Sequence, residues 1–407
     1  MTTPSSDDIS DPSSHGSIGS AWHILSFVYF TFISYVSIGL PLAVLPPYVH
    51  LRMGYSAMLA GLIISIQYIA TLVSRPWTGR ICDSRGAKVA VLWGMGVSAG
   101  SGGLLLAAAL LHSLPWLSLS LLILSRLALG IGESLCATGS TLWGILSAGP
   151  SSTGKVITFN GIATYGGLAI GAPLGVMLDQ HWGLSSIGIL ILLICGSSFL
   201  IACRKSRVAV QPGEHLPFTS VLGRIAPHGM SLALGGIGYS VLATFVTLYF
   251  VSHHWNGAAL CLTIFGTTFV LTRLVFLHAI DRYGGFQVSI VSLAVESLAM
   301  LLLWQASAAW VAFAGAAMAG IGFSMVFPAL GVEAVKCVPL HNRGAALGVF
   351  TAFADVSFFL TGPIAGAIIG AYGYSSVFVY AFVCVLAALG IVIVLQRMQN
   401  RNEATKE

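Results

Sequence analysis

The chain has 407 residues, of which 56% are apolar and only 8% are charged. Soluble domains carry about 25% charged residues because their surfaces face water. With 18 basic and 13 acidic side chains, this chain has too few charges to coat a soluble protein of its length. The composition therefore excludes a soluble enzyme, a nucleic-acid-binding protein and a disordered protein, and it predicts an integral membrane protein.

Long apolar runs separated by short polar breaks predict twelve transmembrane helices in an all-α fold. A spanning helix needs about 20 apolar residues, and in lipid such runs form helices because the backbone must satisfy its own hydrogen bonds. The predicted spans, numbered one to twelve, lie near 22–49, 56–79, 87–111, 116–147, 154–179, 183–203, 221–252, 256–280, 285–305, 308–336, 344–371 and 374–396.

The basic residues predict the orientation. With the N-terminus inside, the even-numbered loops and the C-terminal tail hold fourteen of the 18 basic residues, whereas the odd-numbered loops hold only Arg52. Cytoplasmic loops are the ones enriched in Lys and Arg, so both termini are expected to be cytoplasmic. The seven cysteines lie scattered in apolar segments without metal-ligand spacing, so no metal or other cofactor is expected.

A polar stretch after span six divides the chain into two similar halves. The pair Arg75 and Asp83 recurs 198 residues later as Arg273 and Asp281. Further along, the offset becomes 190 residues, and the residues repeated there include Pro173 and Pro363. Such a repeat, with six spans in each copy, is typical of a transporter built from two pseudo-symmetric six-helix bundles.

These patterns give a predicted domain organisation. The predicted parts are 1–20 as a disordered cytoplasmic N-terminal tail, 21–203 as the N-terminal six-helix bundle, 204–219 as a cytoplasmic central linker, 220–397 as the C-terminal six-helix bundle and 398–407 as a cytoplasmic tail.

The loop between spans two and three carries the segment Gly79-Arg-Ile-Cys-Asp-Ser-Arg-Gly-Ala-Lys, which resembles the loop signature of the major facilitator superfamily. Asp281-Arg-Tyr-Gly is a shorter second copy, and Ala87 replaces a usual basic residue in the first. The resemblance implies the major facilitator fold and a gating role for this loop; a simple turn is the alternative. The gating candidates are Asp83, Arg80, Arg75, Asp281, Arg282 and Arg273.

Two further stretches strengthen the resemblance. Arg126, followed by Gly130 and Gly132, resembles the central-arginine motif of the superfamily. The glycine- and proline-rich stretch 167–175 resembles the signature of its antiporter branch, although Ala172 separates the glycine from the proline. Small residues four apart let helices approach closely, so packing and gating roles are both open. The candidates for helix packing are Gly171, Pro173, Gly175, Gly362 and Pro363.

Three more segments, 38–46, 139–144 and 327–336, make the whole chain similar to the YhhS/YfcJ-type members of the bacterial drug:proton antiporter group. That resemblance implies a solute exporter of the bacterial inner membrane.

Ionisable residues inside the predicted spans are the candidates for coupling. Placing a charge inside the membrane costs about 2.5–3.5 kcal/mol on insertion scales, so each such residue is expected to have a structural or functional role. Glu133, Asp355 or both are predicted to carry the coupling proton, with Arg126 modulating them; static helix contacts are the alternative. Arg126 and Glu133 are about 10.5 Å apart along their helix axis, so a direct pair requires stretched side chains. Glu296, in the peripheral span nine, is expected to make a structural contact or to lie at the membrane interface.

By the same resemblance, spans one, four, seven and ten line a central cavity. The substrate-cavity candidates, for each of which packing is the alternative, are Arg126, Tyr35, Gln67, Trp143, Asn160 and Tyr165.

The prediction for function is a secondary active transporter that uses alternating access to export a small organic solute against incoming protons. Proton-coupled uptake of a sugar or organic acid is the alternative within transport. A membrane enzyme or a non-transporting sensor is the alternative from another class. The expected partners are the solute, protons and membrane lipids, without nucleic acid, and the chain is expected to work as a monomer.

Overall fold

The computed structural model describes residues 15–149, 153–208, 218–276, 278–338 and 343–404. The described residues are helical with no strand, and they contain twelve helices long and apolar enough to cross a membrane. The helices of spans one to twelve are, in order, His15–Leu42 continued by Leu45–Pro47 and a π-helical turn Tyr48–Arg52, Ala57–Arg85, Ala87–Leu110, Pro115–Ala148, Thr153–Trp182, Leu184–Arg204, Phe218–Ser252, Ala258–Val275, Gly285–Trp304, Ala309–Ser324 continued by Val326–Lys336, Arg343–Tyr372 and Ser376–Ala404.

The helices form two bundles. Spans one to six pack against one another, and spans seven to twelve do the same. The bundles meet mainly where span two lies against span eleven and span five lies against span eight. The predicted all-α fold of two six-helix bundles is therefore confirmed.

Matched glycine contacts show the internal symmetry of the two bundles. A Cβ at Gly130 of span four would clash with the backbone carbonyl of Gln67 in span two. A Cβ at Gly320 of span ten would clash in the same way with the carbonyl of Phe265 in span eight. These residues are related by the offsets 190 and 198 seen in the sequence. Each bundle thus uses a glycine to bring two helix backbones into direct contact.

Prolines explain two interruptions of the spans. The first helix ends at Leu42, four residues before Pro46, and the helix of span ten is interrupted at Met325, just after Ser324. Pro46 and Pro328 lack the N–H that would bond the carbonyl four residues earlier, and their rings clash with that carbonyl.

The helices extend into segments that the sequence assigned to tails and linker. The first helix begins at His15, inside the predicted tail 1–20, and the last reaches Ala404, inside the predicted tail 398–407. Span seven begins at Phe218, inside the predicted linker 204–219. A helix can continue through polar residues after it leaves the membrane. Composition alone therefore places the helix ends too close to the apolar part of each span. The remainder of both tails, and residues 209–217 of the linker, lie outside the described residues.

Candidate functional site

The two ends of the molecule are named by their loops. The odd-loop end carries the loops that follow odd-numbered spans, and the even-loop end carries the other loops. Because the number of spans is even, His15 and Ala404 both lie toward the even-loop end.

A side-chain amide joins two charged residues at the centre of the first bundle. The Nη2 of Arg126 donates to the Oε1 of Gln67, and the Nε2 of Gln67 donates to the Oε2 of Glu133 over 2.8 Å. All three side chains are buried. Arg126 and Glu133 both stand on span four and Gln67 on span two, so the amide bridges the axial separation that the sequence implied. The structure therefore brings together three of the predicted site residues.

Two hydroxyl groups complete the surroundings of Glu133. Thr71, one turn after Gln67 on span two, donates to the same Oε2 over 3.2 Å. The hydroxyl of Tyr35 on span one also lies near the carboxylate. The described hydrogen bonds to Glu133 thus come from neutral donors on span two, and neither of them is an ion pair.

The second intramembrane carboxylate forms an ion pair between the bundles. The Nε of Arg75 on span two lies 2.5 Å from the Oδ2 of Asp355 on span eleven. Asp355 is 5% exposed and lies 280 residues from Arg75 in the chain. The pair ties together two helices that belong to different bundles.

The pseudo-symmetric contact between the bundles, where span five crosses span eight, is built differently from the crossing of spans two and eleven. Arg273 on span eight, the repeat of Arg75, is 7% exposed and fills the space left by Gly161 on span five. The repeat of Asp355 at the offset of 190 residues is Tyr165, which lies close enough to Arg273 for an electrostatic contact. Arg273 also lies over the ring of Phe269, 5.2 Å from its centroid. A phenol and an aromatic ring therefore stand where the first crossing has a carboxylate.

Aromatic side chains from both bundles fill the space between these polar groups. Tyr165 lies 4.0 Å from Phe269 between ring centroids, and Tyr239 stacks on Phe323 at 5.7 Å. Phe358 contacts both Tyr239 and Tyr68. This aromatic cluster consists of Tyr68, Tyr165, Tyr239, Phe265, Phe269, Phe323 and Phe358.

The two other cavity candidates lie in helix contacts of the first bundle. Trp143 is fully buried, with its ring stacked 5.9 Å from Phe30 and 5.2 Å from Phe27 on span one. The Oδ1 of Asn160 accepts a hydrogen bond of 2.6 Å from Thr31. Both residues therefore contact span one, rather than the aromatic cluster, through the bonds and ring contacts described.

The predicted gating loop residues lie at the even-loop end. Arg80 is exposed, and so are Asp281 and Arg282, whose guanidinium lies 5.2 Å from the ring centroid of Tyr283. The side chain of Asp83 lies outside the described residues. Arg75, which the sequence also offered as a gating residue, has its described carboxylate contact with Asp355 on span eleven.

The predicted packing glycines lie at backbone contacts between spans. Cβ atoms at Gly171 and Gly175 would clash with the carbonyls of Val36 and Leu40 on span one, and one at Gly362 would clash with Gly61 on span two. Pro173 and Pro363 stand inside the helices of spans five and eleven. Gly171 and Gly175 thus pack span five against span one of the same bundle, whereas Gly362 lies between the bundles.

Glu296 is fully buried in span nine. Its Oε1 points toward Gly238 of span seven, and neither of its carboxylate oxygens has a hydrogen-bond partner among the described residues. At the offset of 198 residues it replaces Ser98, which packs against Gly132 as Glu296 packs against Gly322. It therefore belongs to a helix contact within the second bundle.

Three residues of the site carried no signal in the sequence. They are Tyr68, Thr71 and Tyr239, which are uncharged residues in apolar helices. Only their contacts in the folded protein show that they belong to the site. Among the described residues, no group of three His, Cys, Asp or Glu side chains is placed to hold a metal ion.

A helical membrane chain with two pseudo-symmetric bundles around a buried charged core has the architecture of a secondary transporter. Comparison with known families agrees with this class. The chain belongs to the Major Facilitator Superfamily, whose family model matches residues 27–259 and 229–407.

Bacterial relatives match almost the whole chain. An uncharacterized MFS-type transporter of Burkholderia mallei is 47% identical over 401 residues, which cover 98% of each chain. An uncharacterized MFS-type transporter of Pseudomonas aeruginosa is 51% identical over 378 residues, which cover 93% of this chain and 94% of the relative.

Two solved structures share the fold. The nucleoside transporter NupG superposes with a TM-score of 0.74 at 17% identity, covering 91% of this chain and 99% of its own. The human organic anion transporter MFSD10 superposes with a TM-score of 0.69 at 15% identity, covering 91% and 98%. At these identities the likeness concerns the fold alone.

Proposed function

We propose that this transporter exports a small organic solute in exchange for protons, by alternating access across the bacterial inner membrane. In this proposal the even-loop end, with its excess of Lys and Arg, faces the cytoplasm together with both termini. The chain works as a monomer, because its two bundles already enclose a polar core.

The ion pair between Arg75 and Asp355 is the observation that carries the proton coupling. Alternating access requires the two bundles to rock against each other, and this pair crosses the moving interface. A proton on Asp355 removes the charge that attracts Arg75 and so weakens the link between the bundles. Binding and release of one proton can therefore bias the equilibrium between the two orientations.

Glu133 provides the second carboxylate of the proposal and connects the proton to the solute. Gln67 accepts from Arg126 with its oxygen and donates to Glu133 with its nitrogen. A proton on Glu133 weakens the bond from Gln67, because a neutral carboxyl is a poorer acceptor than a carboxylate. The amide is then free to reorient, which changes the surroundings of Arg126.

The direction of transport rests on the glycine-rich stretch of span five. The glycines of this stretch pack against backbone carbonyls of span one. This contact supports the assignment to the drug:proton antiporter group that the sequence resemblance implies. Proton-coupled uptake uses the same parts and is the alternative. Inside-out vesicles with an acidic interior separate the two, because proton efflux then drives a proton-coupled exporter to accumulate solute inside the vesicles and does not do so for a proton-coupled importer.

The test of coupling is proton movement in proteoliposomes that contain the purified protein and an interior pH dye. A panel of sugars, amino acids, organic acids and cationic drugs is added in turn. We expect one class of solute to drive proton flux, and Glu133→Gln and Asp355→Asn to abolish it. The matched control is Asp179→Asn, which removes a carboxylate paired with the exposed Arg52 at the odd-loop end.

Full proton-driven flux in both carboxylate variants would overturn the coupling proposal. Solute exchange without proton movement would instead indicate a facilitator. A protein that moves no solute of the panel, in either orientation, would support the non-transporting alternative.

A further inference from the structure

The arginines inside the membrane spans are unevenly paired with the carboxylates there. The described arginines of this region are Arg75, Arg126 and Arg273, and its described carboxylates are Glu133, Asp355 and the fully buried Glu296. Arg75 is neutralised by its ion pair with Asp355. Arg126 lies within electrostatic range of Glu133, but neither Arg126 nor Arg273 has a described hydrogen bond or ion pair with a carboxylate, so their N–H groups are available to an anionic ligand.

Arg126 has unused hydrogen-bonding capacity in a fully buried position. Its side chain is 1% exposed, and neither Nε nor Nη1 has a partner among the described residues. Its one side-chain partner is the neutral amide oxygen of Gln67. Leaving charged N–H donors unpaired in an apolar interior is costly, and a planar guanidinium matches the geometry of a carboxylate.

The aromatic cluster connects Arg126 to Arg273. Tyr68 lies close enough to Arg126 for an electrostatic contact, and the rings continue through Phe358, Tyr239 and Tyr165. At the other end, Phe269 contacts Tyr165 and lies under Arg273. The core is therefore a row of rings with an arginine at each end.

The phenol of Tyr239 adds a free polar group inside this row. Its Oη is buried and has no partner among the described residues, although its ring stacks on Phe265 and Phe323. Aromatic walls with a few unpaired polar atoms are the usual lining of a site for an apolar ligand body that carries one or two polar groups.

We propose that the solute is a small organic anion, a carboxylate with an aromatic or apolar body. Its carboxylate accepts hydrogen bonds from the free nitrogens of Arg126, and its body lies among the rings of the aromatic cluster. Arg273 supplies a second positive charge on the path toward the even-loop end. This inference rests on the proposed function, since it names the solute class of that transporter.

The test is equilibrium binding to the purified full-length protein in detergent, which requires neither a membrane nor a proton gradient. The probes are benzoate, phenylpropionate, indole-acetate and decanoate, each compared with its own primary amide. We expect saturable binding of at least one carboxylate, together with a concentration-dependent rise in the unfolding temperature. Its amide, which has the same body and no charge, should fail to compete.

Variants locate the binding group. Arg126→Gln is expected to weaken carboxylate binding by about tenfold or more, and Arg126→Lys to do so partly, because a lysine keeps the charge without the planar fork. Arg273→Gln is expected to have a smaller effect. Arg397→Gln, which removes an exposed arginine at the even-loop end of span twelve, is the matched control and should bind as the unaltered protein does.

Equal binding of carboxylate and amide, no binding of any carboxylate, or full affinity in both Arg126 variants would overturn the inference. If Arg126→Gln does not fold, Arg126→Lys and the comparison of carboxylate with amide still decide it. Failure of this binding test does not affect the test of proton coupling. Solute-driven proton flux that is lost in Asp355→Asn would still show a coupled transporter, but one for another class of solute.

Discussion

Arg75 and Asp355, 280 residues apart in the chain, approach to 2.5 Å and tie span two of the first bundle to span eleven of the second. The pseudo-symmetric crossing pairs Arg273 with a phenol at the position of the carboxylate. One crossing can therefore be switched by a proton on a carboxylate, whereas the other cannot. The symmetry of the fold is broken at Asp355, the residue to which the proposed coupling assigns a proton.

A double-mutant cycle on this ion pair is the first prediction. Asp355 is buried and Arg75 is partly buried, so removing either partner leaves the other charge poorly compensated, and Arg75→Gln and Asp355→Asn are each expected to lower stability by up to about 3 kcal/mol. The double variant should lose less than the sum of the single variants, because it leaves no unpaired charge. Unfolding in detergent followed by tryptophan fluorescence measures all three. Simple additivity would show that the two side chains do not interact in the protein.

The second prediction concerns the amide bridge. Gln67→Leu removes both the acceptor for Arg126 and the donor for Glu133, and it is expected to abolish solute-dependent proton flux in proteoliposomes while the protein stays folded. Gln287→Leu, an exposed glutamine at the start of span nine, is the matched control and should transport normally. Unchanged flux in the Gln67 variant would rule out a role for the bridge in coupling.

The third prediction tests the backbone contact beneath the site. A Cβ at Gly130 meets the carbonyl of Gln67, so Gly130→Ala must push spans four and two apart and displace Gln67. We expect a loss of about 1–3 kcal/mol in unfolding free energy, together with impaired flux. Gly100→Ala in span three meets no atom within 4 Å, and it should raise stability by about 0.5–1 kcal/mol through helix propensity. Equal effects of the two substitutions would contradict the contact.

The fourth prediction concerns closure at the odd-loop end. His50, in the π-helical turn of span one, lies 3.2 Å through its Nε2 from the Oη of Tyr374 in the second bundle. Replacing both residues by cysteine, with exposed Cys203 changed to serine, and joining them with a short bismaleimide should arrest transport because the bundles can no longer separate.

The control for that cross-link lies within one bundle. Arg52 and Asp179 also meet at the odd-loop end, 3.0 Å apart, but both belong to the first bundle. Cysteines there should cross-link and leave transport running. If both cross-linked proteins transport equally well, the contact between His50 and Tyr374 does not separate during the cycle.

The sequence predicted the fold correctly, and it pointed to the charged residues inside the membrane spans. Span number and the repeat offsets follow from local apolar runs and from residue types at fixed spacing. Arg126, Glu133 and Asp355 stood out because charges inside apolar runs are costly. Their partners did not stand out. Thr71 and Tyr68 are ordinary residues of apolar helices, and nothing along the chain links Gln67 to residues 59 and 66 positions away.

The sequence by itself therefore determined that this protein crosses the membrane twelve times in two related halves and that it carries a few buried charges. Only the tertiary structure decided which charges meet. Asp355 binds Arg75, Glu133 is held by an amide and a threonine hydroxyl, and Arg126 and Arg273, neither with a described ion pair, stand at the two ends of an aromatic row. The physical reason is that apolarity and periodicity act within one helix, whereas the partner of a buried charge depends on how helices far apart in the chain pack together.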